Sequence, residues 1–170
     1  MPSFTQELYY NRIIFTFSNG GYLPEGSISL SAITVTKATL RMTTQNFGPN
    51  DRFIIEYFDA GQWKTLAEVQ GTKTQSFDVT SEIAPLDQFR YRAAVWGNWC
   101  IYAELGPVYA DITIEYTTGE ITPTSPFTGD MIFGQAGMGS IGYIISVFIQ
   151  MFMISMIMSV IAAIMEGFGG

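Results

Sequence analysis

The sequence predicts an all-β sandwich of jelly-roll type with seven or eight antiparallel strands, followed by a single C-terminal transmembrane helix. Before residue 118, short runs of alternating apolar and polar residues are separated by turn residues, which is the pattern of half-buried strands. From Met131 to Met165 there is no Asp, Glu, Lys or Arg. The predicted domains are a β-sandwich at 1–118, a linker at 119–138 and a hydrophobic transmembrane helix at 139–166.

Alternation of apolar and polar residues with a period of two predicts where the strands lie. They are predicted at 12–17, 33–42, 52–58, 62–69, 74–80, 88–96, 99–104 and 108–116. The apolar parity changes within 33–42, which indicates a β-bulge near Thr36 or Lys37. The residues Asp59-Ala60-Gly61 predict a tight hairpin, and Gly97-Asn98 predicts a turn between two further strands.

Two of these strands carry the clearest division between a core face and a solvent face. The residues expected to point inward are Phe89, Tyr91, Ala93, Val95, Ala110, Ile112, Ile114 and Tyr116. Arg90 and Arg92 alternate with the first four of them, so both are expected on the solvent face.

The apolar tail has the length of a membrane span. Residues 141–165 would form a helix of about 37 Å at 1.5 Å per residue, enough for a hydrocarbon core of about 30 Å with some tilt. Apolar residues surround its whole circumference, whereas a helix in a soluble core usually has a polar face. A helix buried in a soluble core or an oligomer bundle is the alternative.

The small and polar residues of this helix form two stripes that predict helix packing. The first contains Gly139, Gly142, Ser146 and Gln150, and the second contains Ser155, Ser159 and Ala162. In lipid such residues allow close approach of helices and hydrogen bonding between them. We expect the tail to associate with itself or with other membrane helices.

Neither flank of the helix contains Lys or Arg, so the positive-inside rule assigns no orientation. The N-terminus lacks a basic region followed by an apolar run, so the first domain is expected on the side of synthesis. Between the two parts, Pro123 and Pro126 exclude a helix and predict an extended spacer of about 40 Å at full stretch.

Composition and charge argue against several classes of function. The formal net charge is -7 with 15 acidic and 8 basic residues, which argues against nucleic-acid binding. Histidine is absent, Cys100 is the single cysteine, and no phosphate loop or nucleophile motif occurs. Acidic pairs such as Asp51 with Glu56, or Glu68 with Asp78, could meet across strands, but their spacing does not single them out. We therefore expect neither an enzyme nor a bound cofactor or metal.

Three stretches of the β region resemble the closing strands of carbohydrate-binding jelly-roll modules, and they are 77–80, 89–93 and 109–116. In that family exposed aromatic side chains stack on sugar rings. The resemblance implies Trp96 and Trp99 as candidate ligand-binding aromatics. The alternative is that one Trp covers the core and the other marks a protein contact.

The layout as a whole is similar to that of minor structural proteins of membrane-containing icosahedral virions. The resemblance implies a sandwich that binds a protein shell or neighbouring subunits and a helix that anchors and oligomerises in an internal membrane. The expected partners are the lipid bilayer, other copies of the chain, and shell or membrane proteins. A cell-surface glycan-binding or adhesion protein and an accessory subunit of a membrane complex are the alternatives.

Overall fold

The computed structural model of the chain describes residues 1–134 and 140–168. It divides into two compact units, Met1–Phe133 and Gly134–Gly170. The elements of the first unit are β1 (Ser3–Tyr22), β2 (Gly26–Ser29), β3 (Val35–Thr44), β4 (Arg52–Asp59), β5 (Gln62–Gln70), β6 (Thr74–Asp78), α1 (Thr80–Ile83), β7 (Gln88–Tyr116) and β8 (Phe127–Phe133). The second unit contains the helix α2 (Ser140–Phe168).

Two long strands connect the two sheets of the first unit. β1 runs antiparallel along β7 from the pair Ser3↔Glu115 to the pair Tyr22↔Ala94. β2 continues the line of β1 along β7 from the pair Gly26↔Tyr91. Three register shifts interrupt the pairing of β1 with β7. Since bulges bend a strand and increase its twist, one ribbon can take part in both layers.

The other strands complete the two layers. In one layer β3 pairs with residues 108–116 of β7, β6 pairs with β3, and β8 pairs with β1. In the other layer β4 pairs with residues 91–96 of β7, and β5 pairs with β4. The predicted β-sandwich with a C-terminal helix is confirmed, whereas the jelly-roll connectivity stays a prediction.

The core lies between these layers. All eight side chains predicted to point inward from 89–95 and 110–116 are buried. The predicted bulge is confirmed by a register shift between Val35 and Lys37. The predicted hairpin is confirmed as well, because β4 and β5 are joined through Ala60 and Gly61, whose φ angles are 51° and 80°.

The predicted turn at Gly97-Asn98 is wrong. β7 passes through both residues without a break and pairs with β1 on either side, at Gly20↔Trp96 and Ser18↔Cys100. The register shift between Ser18 and Gly20 absorbs the irregularity. β1 likewise extends well beyond the predicted 12–17, because long-range pairing with β7 outweighs the local turn preference of its Gly and Asn residues.

The residues predicted as a linker, 119–138, include a strand. β8 pairs in parallel with β1 from Tyr9↔Phe127 to Phe15↔Phe133, so the sheets are not entirely antiparallel. The reason is that this edge of β1 is available for pairing and that Phe127 and Phe133 pack against the core. The compact β unit therefore ends at Phe133, beyond the predicted boundary at 118.

The second unit consists mainly of α2, which is long and apolar enough to cross a membrane, so the predicted single C-terminal helix is confirmed. Its window Phe148–Met165 has a mean hydropathy of 2.2, and no part of this window is buried. By length and composition α2 is a candidate membrane anchor.

Candidate functional site

Five side chains form an aromatic–arginine ladder on the outer face of the layer that contains β4 and β5. The guanidinium carbon of Arg92 lies 4.1 Å from the ring centre of Tyr22 and 4.4 Å from that of Trp63. The guanidinium carbon of Arg90 lies 4.3 Å from the ring centre of Phe58 and 5.6 Å from that of Trp63. Rings and cations therefore alternate along the ladder, and each exposed contact of this kind contributes about 0.5–1 kcal/mol.

Strand geometry explains why these residues meet. Arg90 and Arg92 alternate with inward-facing residues of β7, so both guanidinium groups lie on the outside, as predicted. Phe58 pairs directly with Trp63 across the tight hairpin, and their rings meet edge to face at 5.3 Å. Tyr22 enters from the end of β1 beside the neighbouring residue Ala94.

Carboxylates hold both arginines in place. Arg92 Nε donates to Glu56 Oε2 at 2.6 Å, and the two side chains are only 21% and 17% exposed. Arg90 Nη2 donates to Glu25 Oε2 at 3.2 Å in a more exposed pair. Each guanidinium group is thus held by a carboxylate as well as by contacts with aromatic rings. Because both arginine charges are paired, the surface is nearly neutral.

Trp96 extends the ladder at the Tyr22 end. The two rings meet edge to face, with centres 6.1 Å apart and an interplanar angle of 85°. The indole lies against Gly20 on the paired strand, where any Cβ would collide with the ring. The predicted residue Trp96 is therefore a partly buried aromatic of the outer face. Trp99 belongs to β7, but its side chain lies outside the described part of the structure.

A polar cavity adjoins the opposite end of the ladder. It has a volume of about 470 Å³ and is lined by Glu25, Gly26, Ser27, Gln88 and Arg90. These groups combine hydrogen-bond donors with acceptors, which suits a neutral polar ligand better than an ion.

The acidic residues that could have met across strands have other partners, and Asp51 Oδ2 accepts a hydrogen bond from the backbone N–H of Gly48. Glu56 binds Arg92, and Glu68 lies 3.9 Å from Arg52. Asp78 accepts hydrogen bonds from the hydroxyl and the backbone N–H of Thr80, which lower the pKa of its carboxyl group. Within residues 1–134 and 140–168, no group of three His, Cys, Asp or Glu side chains could hold a metal ion.

The structure describes only some of the residues that were predicted to pack helices together. Gly139 lies outside the described residues, and the burial of Gly142 and of the Ser146 side chain is not described either. Gln150 is partly exposed, whereas Ser155, Ser159 and Ala162 are exposed on α2. Ser159 Oγ donates to the carbonyl oxygen of Ser155 at 2.9 Å, so this hydroxyl is satisfied within its own helix. Helix packing at the two stripes stays a prediction.

Sequence analysis missed three members of the ladder: Tyr22, Trp63 and Phe58. For Trp63 and Phe58 a signal was present, because both flank the predicted hairpin turn at positions that face each other. Tyr22 had no such signal, since its approach to Arg92 depends on the pairing of β1 with β7 across the sequence.

Comparison with known proteins adds little to this description. No family model matches the chain, and no curated protein sequence matches it. The VP2 subviral particle of infectious bursal disease virus is similar at a TM-score of 0.39 with 7% identity, over 68% of this chain and 33% of that one. A structure of the Gx strain of that virus gives a TM-score of 0.32 with 9% identity, over 71% and 37%. PirA gives 0.27 with 19% identity, over 68% and 93%.

The chain thus spans about a third of the length of the two viral chains that it matches. Likenesses at these scores do not bear on function, which depends on the site rather than on the fold.

Proposed function

We propose that this chain is a non-enzymatic, membrane-anchored structural or assembly protein. In this proposal α2 anchors the chain in a bilayer while the β unit binds a protein shell or neighbouring subunits. The observation that carries the proposal is the combination of an uncharged, unburied apolar window, Phe148–Met165, with a sandwich that has a preorganised aromatic–arginine ladder on its outer face.

The ladder has the chemistry of a protein-binding surface. Trp, Tyr and Arg are the residue types that dominate the binding energy of protein interfaces. The ion pairs of Arg90 and Arg92 hold their side chains in place before a partner arrives, which reduces the entropy lost on binding. Because both charges already have partners, covering the surface does not strand an unpaired guanidinium group.

The helix supplies the second half of the mechanism. An apolar helix without Lys or Arg has no polar face to present to water, and lipid satisfies it along its whole circumference. Its stripes of small and polar residues favour oligomerisation of the tail in the membrane. A protein of this kind bridges a membrane and a shell, and the internal membrane of a virion is the location that we favour.

Carbonate extraction with protease protection, on membranes from the native source, tests the anchor. We expect the chain to resist carbonate, with its β unit digestible from the side of synthesis. Release of the chain by carbonate would show that α2 is buried in a protein oligomer, and the membrane part of the proposal would fall.

The ladder is tested by its effect on incorporation into the native assembly. We expect the double variant Tyr22→Ala with Trp96→Ala to stay membrane-bound but to cosediment with the assembly several-fold less than the wild type. Tyr10→Ala, which removes an exposed tyrosine elsewhere on β1, is the matched control and should cosediment normally. Equal incorporation of all three proteins would exclude the ladder as the docking surface.

A second candidate function is glycan binding at a cell surface. The observation that favours it is the polar cavity at Glu25, Ser27, Gln88 and Arg90, which offers donors and acceptors to sugar hydroxyl groups beside the Phe58 ring. Binding on a glycan array that disappears in Gln88→Ala or Phe58→Ala would support this function over assembly. Copurification with cofactor-bearing subunits would instead indicate an accessory subunit of a membrane complex.

A further inference from the structure

Sheet edges are sites where another chain can add a strand, and native proteins usually protect them with charge, Pro or shortness. Among the described strands, β2, β5, β6 and β8 each pair with one neighbour only. β2 has four residues, β5 contains Lys64 and Glu68, and Lys73 directly precedes β6. Each of these three edges therefore has a protective feature.

β8 is the least protected of the four edges. Its seven residues include no Lys, Arg or Pro. Its single charge, Asp130, is held by Arg12, with Nη2 at 2.5 Å and Nε at 3.1 Å from the carboxylate oxygens. This ion pair keeps the pKa of the Asp130 carboxyl group low, so the pair persists at neutral pH and leaves little repulsion at the edge.

The end of β8 also exposes apolar surface. Ile132 is 43% exposed, whereas Ile14, its partner on the neighbouring strand β1, is only 5% exposed. Its neighbours Met131 and Phe133 pack toward the core instead. An exposed Ile at an open edge is the kind of residue that a second strand would cover.

We propose that two copies of this chain pair with each other through β8, antiparallel, about a two-fold axis at Ile132. Directly opposed residues of a sheet point to the same face, so Ile132 would cover Ile132 of the partner subunit on the outer face. Met131 would face Phe133 of the partner subunit on the inner face. This register keeps the two Asp130 carboxylates apart and leaves the irregular residue Gly129, with φ of 102°, outside the new pairing.

A second copy is the occupant because the chain continues from β8 almost directly into the apolar helix. Only 134–139 separate β8 from α2, and a segment of that length reaches at most about 20 Å. If α2 is anchored as proposed above, tethering to one bilayer raises the effective concentration of the β8 edges of all copies toward one another. Because each copy contributes one β8 edge, the contact closes at two chains. This inference rests on the proposed anchoring.

Disulfide cross-linking of the full chain in phosphatidylcholine liposomes tests the register. In a Cys100→Ser background, Ile132→Cys should form an oxidised dimer roughly tenfold faster than Thr128→Cys. The reason is that directly opposed Cα atoms lie about 4.5–5.5 Å apart, which is within the range that a disulfide spans. Thr128 is the matched control on the same strand, since the proposed axis places it far from its own copy. Equal rates for the two variants, or no dimer from Ile132→Cys, would overturn the pairing.

A second pair of variants tests association without cysteine. In a common Gly139→Leu, Ser155→Leu background, which removes small residues from both stripes of the helix, Ile132→Lys should lose the dimeric population in single-molecule photobleaching. Thr65→Lys at the exposed edge of β5 should keep it in the same background. Equal dimer fractions in both variants would overturn the proposal.

Liposome flotation separates this proposal from the anchoring on which it rests. Floating proteins that do not cross-link at Ile132 would leave the anchor intact and remove the β8 contact. Proteins that cross-link at Ile132 but do not float would retain the contact and remove the anchor.

Discussion

The two units of this chain place the same apolar residue types in opposite environments. Phe53 in β4 is 0% exposed, whereas Phe148 in α2 is 67% exposed. Most strands of the β unit bury one side against the other layer, while no residue of the window Phe148–Met165 in α2 is buried. The β unit thus shows the usual burial of a protein in water, whereas the exposure of α2 is what makes it a candidate membrane anchor.

Charged residues are also distributed differently between the two units. The outer faces of the β unit carry ion pairs such as Arg92–Glu56 and Lys64–Asp59. The window Phe148–Met165 contains no charged residue at all. The two units thus differ in where they carry charge. We therefore expect the same kind of substitution to have different effects in the β unit and in α2.

The largest expected effect is a cavity in the β core. Phe53→Ala should lower the free energy of unfolding of the β unit by about 3–5 kcal/mol, because it removes a fully buried ring. Phe148→Ala should change the same transition by less than about 0.5 kcal/mol. Urea unfolding of the full chain in detergent, followed by tryptophan fluorescence, measures both values. Equal losses would mean that α2 supports the core.

The next largest effect is expected when a charge is introduced into the apolar helix. Ile157→Arg should disfavour membrane insertion by about 3 kcal/mol, because a guanidinium group near the middle of the span loses its hydration. Ile157→Leu is the control and should insert normally. The fraction of chain resistant to carbonate measures insertion, and an unaffected arginine variant would contradict a lipid-facing position for Ile157.

Within the ladder, Glu56→Gln should lower the free energy of unfolding by about 1–2 kcal/mol, because Arg92 loses a charged partner at a partly buried position. Asp59→Asn removes the carboxylate from the more exposed pair with Lys64 and should cost less than about 1 kcal/mol. Urea midpoints of the two variants give the comparison. A larger loss for Asp59→Asn would show that the ladder is not preorganised by its ion pair.

The smallest expected effect is a pH dependence from Tyr9. Burial raises the pKa of its phenol, whose hydroxyl donates to the carbonyl oxygen of Pro24 at 2.6 Å. A raised pKa in the folded state means that this stabilisation is complete below the unfolded pKa of about 10 and is lost as pH rises above it. Tyr9→Phe should cost about 1 kcal/mol at pH 7 and reduce the alkaline loss of stability. An identical alkaline slope in the variant would assign that loss to other groups.

Local patterns predicted much of the fold. The alternation in 88–96 and 108–116 identified the buried side chains, because period two is intrinsic to a strand. The change of parity near Thr36 predicted the bulge, and Asp59-Ala60-Gly61 predicted the hairpin.

Non-local pairing accounts for the elements that local patterns missed. Gly97-Asn98 has the composition of a turn, and Phe127–Phe133 comes after a stretch with the composition of a spacer. Phe127–Phe133 becomes a strand because β1 offers it hydrogen-bonding partners that are distant in sequence. Gly97-Asn98 stays within β7 because the residues on either side of it pair with β1. Trp96 was therefore predicted as a candidate ligand or partner residue, whereas Arg90 and Arg92 were predicted only to face solvent.

The sequence by itself determined the period of each element, the division into a β unit and an apolar helix, and the absence of charge from 131–165. These properties depend on neighbours along the chain and on transfer of side chains from water. Only the tertiary structure decided that Tyr22 and Trp63 enclose Arg92 and that β8 forms an open edge. Such contacts depend on the register between strands far apart in the sequence, which no local pattern encodes.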